Sequence, residues 1–342
     1  MALKVIQVGM GGWGRNWAKN VVPNVKGVEL VAYVDLVAAN LKLTQTEVGV
    51  PAEKTFLTVE EAIAGTDADA VLITTFLEGH IPVTLAALEA GKHVLVEKPF
   101  APTVEEAAKA IETARRKKRV LMVSQNYRFN PAPIEVRKMI EKKTLGKVGA
   151  VYVDFRRYAN TAPVAGHKHY AIWHPLLVDM SIHHFDLMRM VLGQEPRRIE
   201  CRTWNPSWSR FKTASSGAAT IDFDNGAVVS YRGSWVSTDA QTNWSGEWRI
   251  ECEKGVIEWT SRGDTPDSVT IRPSGRQPKA VALPRVAHLD REGCLDAFAN
   301  AVARGKQPDT SGQDNIKTLE LMFAAVSAAD TGAPVELGKK KK

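Results

Sequence analysis

The chain has 342 residues, with 44% hydrophobic, 24% charged and three cysteines, Cys201, Cys252 and Cys294, far apart from one another. That length suits two domains with a sizeable core, the cysteine count argues against a disulfide framework or a zinc ribbon, and no apolar run approaches the roughly 18 to 20 residues that span a bilayer. The net charge of +7 gathers partly in "RRKKR" (115 to 119) and in the closing lysines. Without interleaved aromatics these runs read as solvated charge, not as a nucleic-acid surface.

The opening segment, "MALKVIQVGM", lacks a signal-peptide layout, so the expected setting is the cytoplasm, with no membrane partner. The first 125 residues then alternate short apolar runs with helical patterns. Strands are expected over 4–10, 27–35, 68–75, 92–99 and 119–126. Helix starts are marked by Thr58 with Glu61 and by Thr103 with Glu106, both with capping-box spacing. Strands alternating with helices predict a doubly wound parallel sheet covered on both faces.

After residue 126 the pattern changes. A helix is expected over 133–144, a long strand over 147–159, a histidine-rich loop, then an apolar helix over 175–192 closed by Gly193. Strand-like runs follow, with Asn225-Gly226 as a hairpin signal. Two helices, 287–304 and 313–330, finish the chain. The expected fold is therefore α/β: a parallel Rossmann-type domain over 1–125, and an α+β domain over 126–342 with a large, open, mostly antiparallel sheet. The tail, 338–342, reads as disordered.

The glycines of "VGMGGWG" carry the first chemistry. Gly9, Gly11 and Gly14 fit G-x-G-x-x-G between a strand and a helix. Gly9 permits the tight turn, Gly11 lets backbone approach a pyrophosphate, and Gly14 lets the helix pack close. Gly12 and Trp13 border the same loop, whereas Trp17 reads as helix packing. The helix N-terminus offers unpaired N–H groups to phosphates. Asp35 ends the next strand, 21 residues after Gly14, where a carboxylate accepts both ribose hydroxyls and repels a 2′-phosphate. The expected cofactor is NAD in preference to NADP.

Together with "GMGGWG", the segments "EKP" (Glu97-Lys98-Pro99) and "DMSIHHFD" (Asp179 to Asp186) give the whole chain a resemblance to the Gfo/Idh/MocA oxidoreductases. The resemblance implies a Rossmann domain followed by an open-sheet domain, NAD(P)-dependent chemistry on sugars, cyclitols or related polyols, and a homodimer or homotetramer formed through that sheet. It implies Lys98, Asp179 and His183 as the catalytic set, Pro99 as the shaper of the turn behind Lys98, often through a cis bond, and Thr74, Thr75, His80, Glu97 and Asn126 on the cofactor side. Phe76 departs from the family, where proline is common, and leaves the local loop shape open.

The residue chemistry agrees. Alcohol oxidation needs a hydride acceptor, a base for the hydroxyl proton and a group that stabilises the developing alkoxide. Histidine titrates near neutrality, lysine carries fixed charge, and Asp179 and His183, four apart, share a helix face. Arg156, Arg157 and Tyr158, at the end of the long strand, and Trp173 stand as substrate-side candidates. His184 reads first as a packed structural histidine, but is kept beside them because it adjoins His183. Asp186 reads as a supporting carboxylate. His167, His169 and His174 crowd one loop, but without zinc spacing no metal is expected. Two other readings stay open: a redox-neutral glycosidase using bound NAD, and a sugar-sensing regulator.

Overall fold

The computed structural model describes residues 2–165 and 167–338, so the tail read as disordered lies outside the described residues except for Gly338. They divide into two compact units. One runs to Asn126 and resumes over Ala287–Ile316; the other covers Tyr127–Val286 and resumes at Lys317.

The first unit opens with β1 (Leu3–Val8), α1 (Gly12–Asn20), β2 (Val28–Val34), α2 (Ala38–Val48), β3 (Thr55–Phe56), α3 (Val59–Gly65), β4 (Ala70–Ile73), α4 (Leu77–Glu89), β5 (His93–Glu97), α5 (Val104–Lys117) and β6 (Leu121–Ser124). The six strands are parallel, in the order β3-β2-β1-β4-β5-β6. Chain direction across the sheet therefore reverses between β1 and β4, the crevice where open α/β sheets bind ligands. The strands are continuous apolar runs because both faces are covered: Val71, Ile73, Val94 and Val96 are fully buried. Thr58 and Glu61 close a reciprocal capping box on α3, and the Thr103 side chain accepts from Glu106 N at the start of α5. The two-residue β3 was not anticipated, since two residues show no period.

The second unit begins with α6 (Pro131–Glu141) and β7 (Val148–Arg156). The expected single helix over 175–192 is instead a π-helical turn, Leu176–Ser181, leading into α7 (Ile182–Leu192). Packing explains the change. Leu176 wedges against Gly217 and Gly233, where an added Cβ would lie 3.2 and 2.8 Å from its methyl groups. The wider turn fits this close approach, and hydropathy alone carries no sign of it. Then come β8 (Pro196–Trp204), β9 (Ser216–Phe223), β10 (Val228–Ser234), β11 (Glu247–Cys252), β12 (Gly255–Thr260), β13 (Ser268–Pro273) and β14 (Lys279–Ala280).

Gly226, at φ +86°, makes the turn between antiparallel β9 and β10. Side chains alternate along β7: Val151, Val153 and Phe155 are buried, while Tyr152 stands on an open face.

The last elements are α8 (Asp290–Arg304), α9 (Gly312–Thr331) and β15 (Val335–Glu336). β15 joins β8, giving a sheet of nine strands among the described residues, β14-β13-β12-β11-β7-β10-β9-β8-β15, antiparallel except for β7 with β10. The expected division at 125/126 needs one correction: α8 belongs to the first unit, not the second. Arg291 lies over Trp13 and Trp17, at 4.2 and 5.5 Å from the ring centroids, and donates to Asn16 at 2.8 Å. Asn24 donates to Glu292 at 2.7 Å. These contacts join residues some 270 positions apart, beyond the reach of local pattern.

Candidate active site

The β1–α1 turn builds a cradle. Gly9 has φ +93°, and a Cβ there would meet Thr75 N at 2.6 Å. A Cβ on Gly14 would lie 1.8 Å from Gly9 O, so α1 can approach β1 only without one. Gly11 and Gly12 have nothing within 4 Å of an added Cβ; their backbone faces open space. That space is a cavity of about 810 Å³ lined by Gly9, Gly11, Gly12, Trp13, Asp35, Thr74, Thr75 and Phe76, among others. Its size and its bare helix N-terminus fit a dinucleotide.

Asp35 closes one wall. Its carboxylate accepts from Met10 N at 2.7 Å, Val37 N at 2.8 Å and Asn40 Nδ2 at 3.1 Å, which fixes its direction. Trp13 is half exposed on the cavity wall, and Trp17 is fully buried, as its packing role requires. Thr74 Oγ1 donates to Gly9 O at 2.7 Å and ties the ends of β1 and β4 together.

Behind this wall stand two residues expected beside the cofactor. His80 is 1% exposed, with its ring nitrogens 2.7 and 3.2 Å from Pro99 O and Thr75 O. Burial pushes its pKa below the ordinary imidazole value. It braces the loops after β4 and β5 rather than lining the cavity, a correction to the expected contact. Glu97 is likewise buried: it accepts from the Trp13 and Trp17 indoles at 2.9 and 2.8 Å and from Lys98 N at 3.2 Å. Burial raises its carboxyl pKa, with the indole of Trp13 pulling the other way. Lys98 follows at the carboxyl end of β5, and the Lys98–Pro99 bond is cis. Asn126 donates to Asp290.

In the second unit, Asp179 sits on the π-helical turn and His183 on the first turn of α7. The His183 imidazole stacks flat on Tyr127, with centroids 4.1 Å apart at 0°. Asp179 Oδ2 lies 3.3 Å from His169 Nε2. Tyr127 was missed as a member of this group because it lies some fifty residues before Asp179, whereas His169 comes from the histidine-rich loop read as facing the substrate. His174 Nε2 lies 3.2 Å from Asp330 Oδ1, so His169 and His174 face separate carboxylates. Asp186 is held by Arg128 Nε and Nη2 at 2.5 and 2.6 Å and by Thr318 at 3.0 Å, a buried brace for α7.

Two substrate-side candidates are corrected. His184 is fully buried, with Nδ1 3.0 Å from Tyr231 Oη and Nε2 2.9 Å from Trp244 O. Its turn of the helix faces the sheet, so it packs rather than meeting a substrate. Arg156 falls on the open face of β7, where Asp154, Glu247 and Ala240 O take up its guanidinium. Arg157, next along, keeps the parity of buried Val153 and Phe155, and "VYVDFRR" already contains that alternation. Tyr158 and Trp173 are both exposed.

Residues 3–125 match the model described as the oxidoreductase family with NAD-binding Rossmann fold, Gfo/Idh/MocA, and residues 134–258 match a C-terminal domain of the same family. The chain is 28% identical to the scyllo-inositol 2-dehydrogenase (NAD(+)) of Bacillus subtilis, over 98% of this chain and 96% of that one. It is 26% identical to the 1,5-anhydro-D-fructose reductase of Ensifer adhaerens, over 96% and 97%. An Agrobacterium radiobacter oxidoreductase solved with NAD+, L-tartaric acid and magnesium shares the fold, with a TM-score of 0.85 at 22% identity and 98% coverage of both chains. Cradle, acidic wall and both halves of the chain thus agree: the protein belongs to the Gfo/Idh/MocA oxidoreductases and is an NAD-binding dehydrogenase of that family.

Proposed function

We propose that the protein moves a hydride between NAD and a hydroxyl-bearing carbon of a sugar, sugar derivative or cyclitol. The observation that carries this is the cavity of about 810 Å³ with a bare glycine floor and a fixed carboxylate wall. The names of the inositol dehydrogenase and anhydrofructose reductase relatives support the substrate class. Bound NAD supplies the hydride acceptor. Lys98 donates to the reacting oxygen and stabilises the charge that develops there. His183, its ring orientation fixed by Tyr127, takes the hydroxyl proton at an imidazole nitrogen. Asp179 balances the charge of the imidazolium. Tyr158 and Trp173 meet the substrate from the exposed side. The protein works as a homodimer or homotetramer joined through the open face of the nine-stranded sheet.

The test is turnover. Incubation with NAD and a panel of sugars and inositols should accumulate NADH, read by its near-ultraviolet absorbance. Lys98→Ala should bind NAD normally and turn over roughly a hundredfold more slowly, the scale of losing one transition-state stabiliser. Glycoside cleavage without NADH accumulation would instead establish the redox-neutral chemistry.

A further inference from the structure

Arg157 and Arg156 are neighbours with opposite fates. Arg156 is neutralised on the open sheet face by Asp154, Glu247 and Asp239. The direct contacts of the Arg157 guanidinium are neutral. Its Cζ lies over Trp244, 4.1 Å from the ring centroid, and Nη1 donates to Gln241 Oε1 at 3.0 Å. Its Nε is shut off from water and takes no acceptor among the described residues. A half-buried cation with an unmet donor is costly to a fold, and such a group is kept where a ligand supplies the missing acceptor. Burial lowers its pKa, an effect only partly offset by Asp264 acting through space.

Its surroundings point the same way. Trp244, the shelf for Arg157, gives its carbonyl to His184, the residue after His183. Trp244 N donates to Arg262 O at 2.9 Å. The Arg262 guanidinium lies 4.4 Å over the ring of Tyr127, with Nη1 3.1 Å from Tyr127 Oη, and the same ring stacks flat with His183. Both Tyr127 and Arg262 act electrostatically on Arg157. Arg262 therefore borders the ring that carries the imidazole proposed as the base, and Arg157 joins it through the Trp244 backbone.

We propose that Arg157, shelved on Trp244 and backed by Arg262, is an anion-reading subsite that selects a carboxylate-bearing polyol, a sugar acid, as substrate. This rests on the reading of His183 as the base of a polyol dehydrogenase. The chemistry favours a carboxylate over a phosphate. Trp244 covers one face of the guanidinium and Gln241 takes Nη1, leaving the Nε–Nη2 edge. That edge is the planar fork that a carboxylate fills with two parallel hydrogen bonds.

The experiment measures binding, so it does not depend on turnover. The full-length protein saturated with NADH is titrated calorimetrically with D-glucuronate, D-galacturonate and D-gluconate, each against its neutral parent, D-glucose, D-galactose and D-glucitol. At least one acid should bind roughly tenfold to a hundredfold more tightly than its parent, the scale of one charge-assisted pair. Arg157→Gln should remove that preference while NADH affinity and melting temperature hold. Arg157→Lys should keep part of it, because charge survives and the fork does not. Equal binding of every acid and its parent overturns the proposal, as does a preference that survives Arg157→Gln. Should Arg157→Gln melt early, the lysine variant and the unmodified protein still decide the matter. D-glucose 6-phosphate binding more tightly than every carboxylate, with loss in Arg157→Gln, overturns the carboxylate assignment. If the acids bind preferentially but no polyol yields NADH, the dehydrogenase reading falls and the anion subsite stands.

Discussion

His183 and His184 share a dipeptide and divide the labour between chemistry and packing. His184 lies where burial pushes its pKa down to about 4. In the unfolded chain the same imidazole titrates near about 6.5. Its contribution to stability is therefore complete above about pH 6.5 and is lost as the pH falls toward 4, up to roughly 3 kcal/mol. His184→Ala should remove that acid sensitivity, yet lower stability at neutral pH by about 2 to 4 kcal/mol, because it opens a cavity beside Tyr231 and strips Trp244 O of its donor. His183→Ala should lose most turnover while leaving the acid sensitivity set by His184 in place. Denaturant melts across pH, read beside initial rates for both variants, check the pair. A His184 variant that stays stable but loses the catalytic ionisation would refute the assignment.

At the scale of elements, the β1–α1 junction separates two uses of glycine. Gly14 serves the fold: its Cβ would strike Gly9 O at 1.8 Å and push α1 off β1. Gly14→Ala should lower the melting temperature and lose NAD binding with it. Gly11 serves the ligand: a Cβ there meets nothing within 4 Å. Gly11→Ala should keep the parent melting temperature and weaken NAD binding by roughly tenfold or more, since the methyl occupies the path of the pyrophosphate. Calorimetric melts and quenching of tryptophan fluorescence by NAD separate the two. If Gly11→Ala bound NAD as tightly as the parent, the cradle would not be where the phosphates lie. The π-helical turn works similarly at the other site, where Leu176 meets two bare glycines and so sets the level at which Asp179 leaves the helix.

Across the whole molecule, the open sheet face is a surface still to be explained. Tyr152, 45% exposed, stands among Arg232, Arg249, Glu247 and Glu258, which border a shallow groove of about 660 Å³. Its charges are partly settled within the sheet: Arg232 meets Asp154 at 2.6 Å, and Arg272 meets Glu258 at 2.7 Å. Such a face, mixed in charge and centred on an aromatic, suits a second copy of itself. Sedimentation equilibrium should give two or four times the chain mass, and Tyr152→Glu should bring it down to one. A parent protein that sediments as a monomer would end the proposal of assembly through this sheet.

Local chemistry was legible in the sequence because its causes are local. A strand, a glycine turn and an acidic strand end lie within 33 residues, Leu3 to Asp35, and marked the NAD cradle, while the strand–helix alternation of the first 125 residues marked the parallel sheet. Capping boxes and Asn225-Gly226 marked real boundaries for the same reason. What the sequence could not decide was which face each side chain turns to when its partners lie far along the chain. His184 read first as a packed histidine, but only the fold shows that Tyr231 and Trp244 claim both its nitrogens. The alternation in "VYVDFRR" already separates Arg156 from Arg157, but only the fold shows what each meets, carboxylates on the open face for one and Trp244 for the other. His80 and Glu97 carried family positions, but burial behind the cavity wall made them braces. The placement of α8 in the first unit rests on contacts with Trp13 and Asn16 some 275 residues away. Periodicity reports whether a residue is buried. Only tertiary packing reports what it is buried against, and that decides whether a histidine or an arginine is chemistry or scaffold.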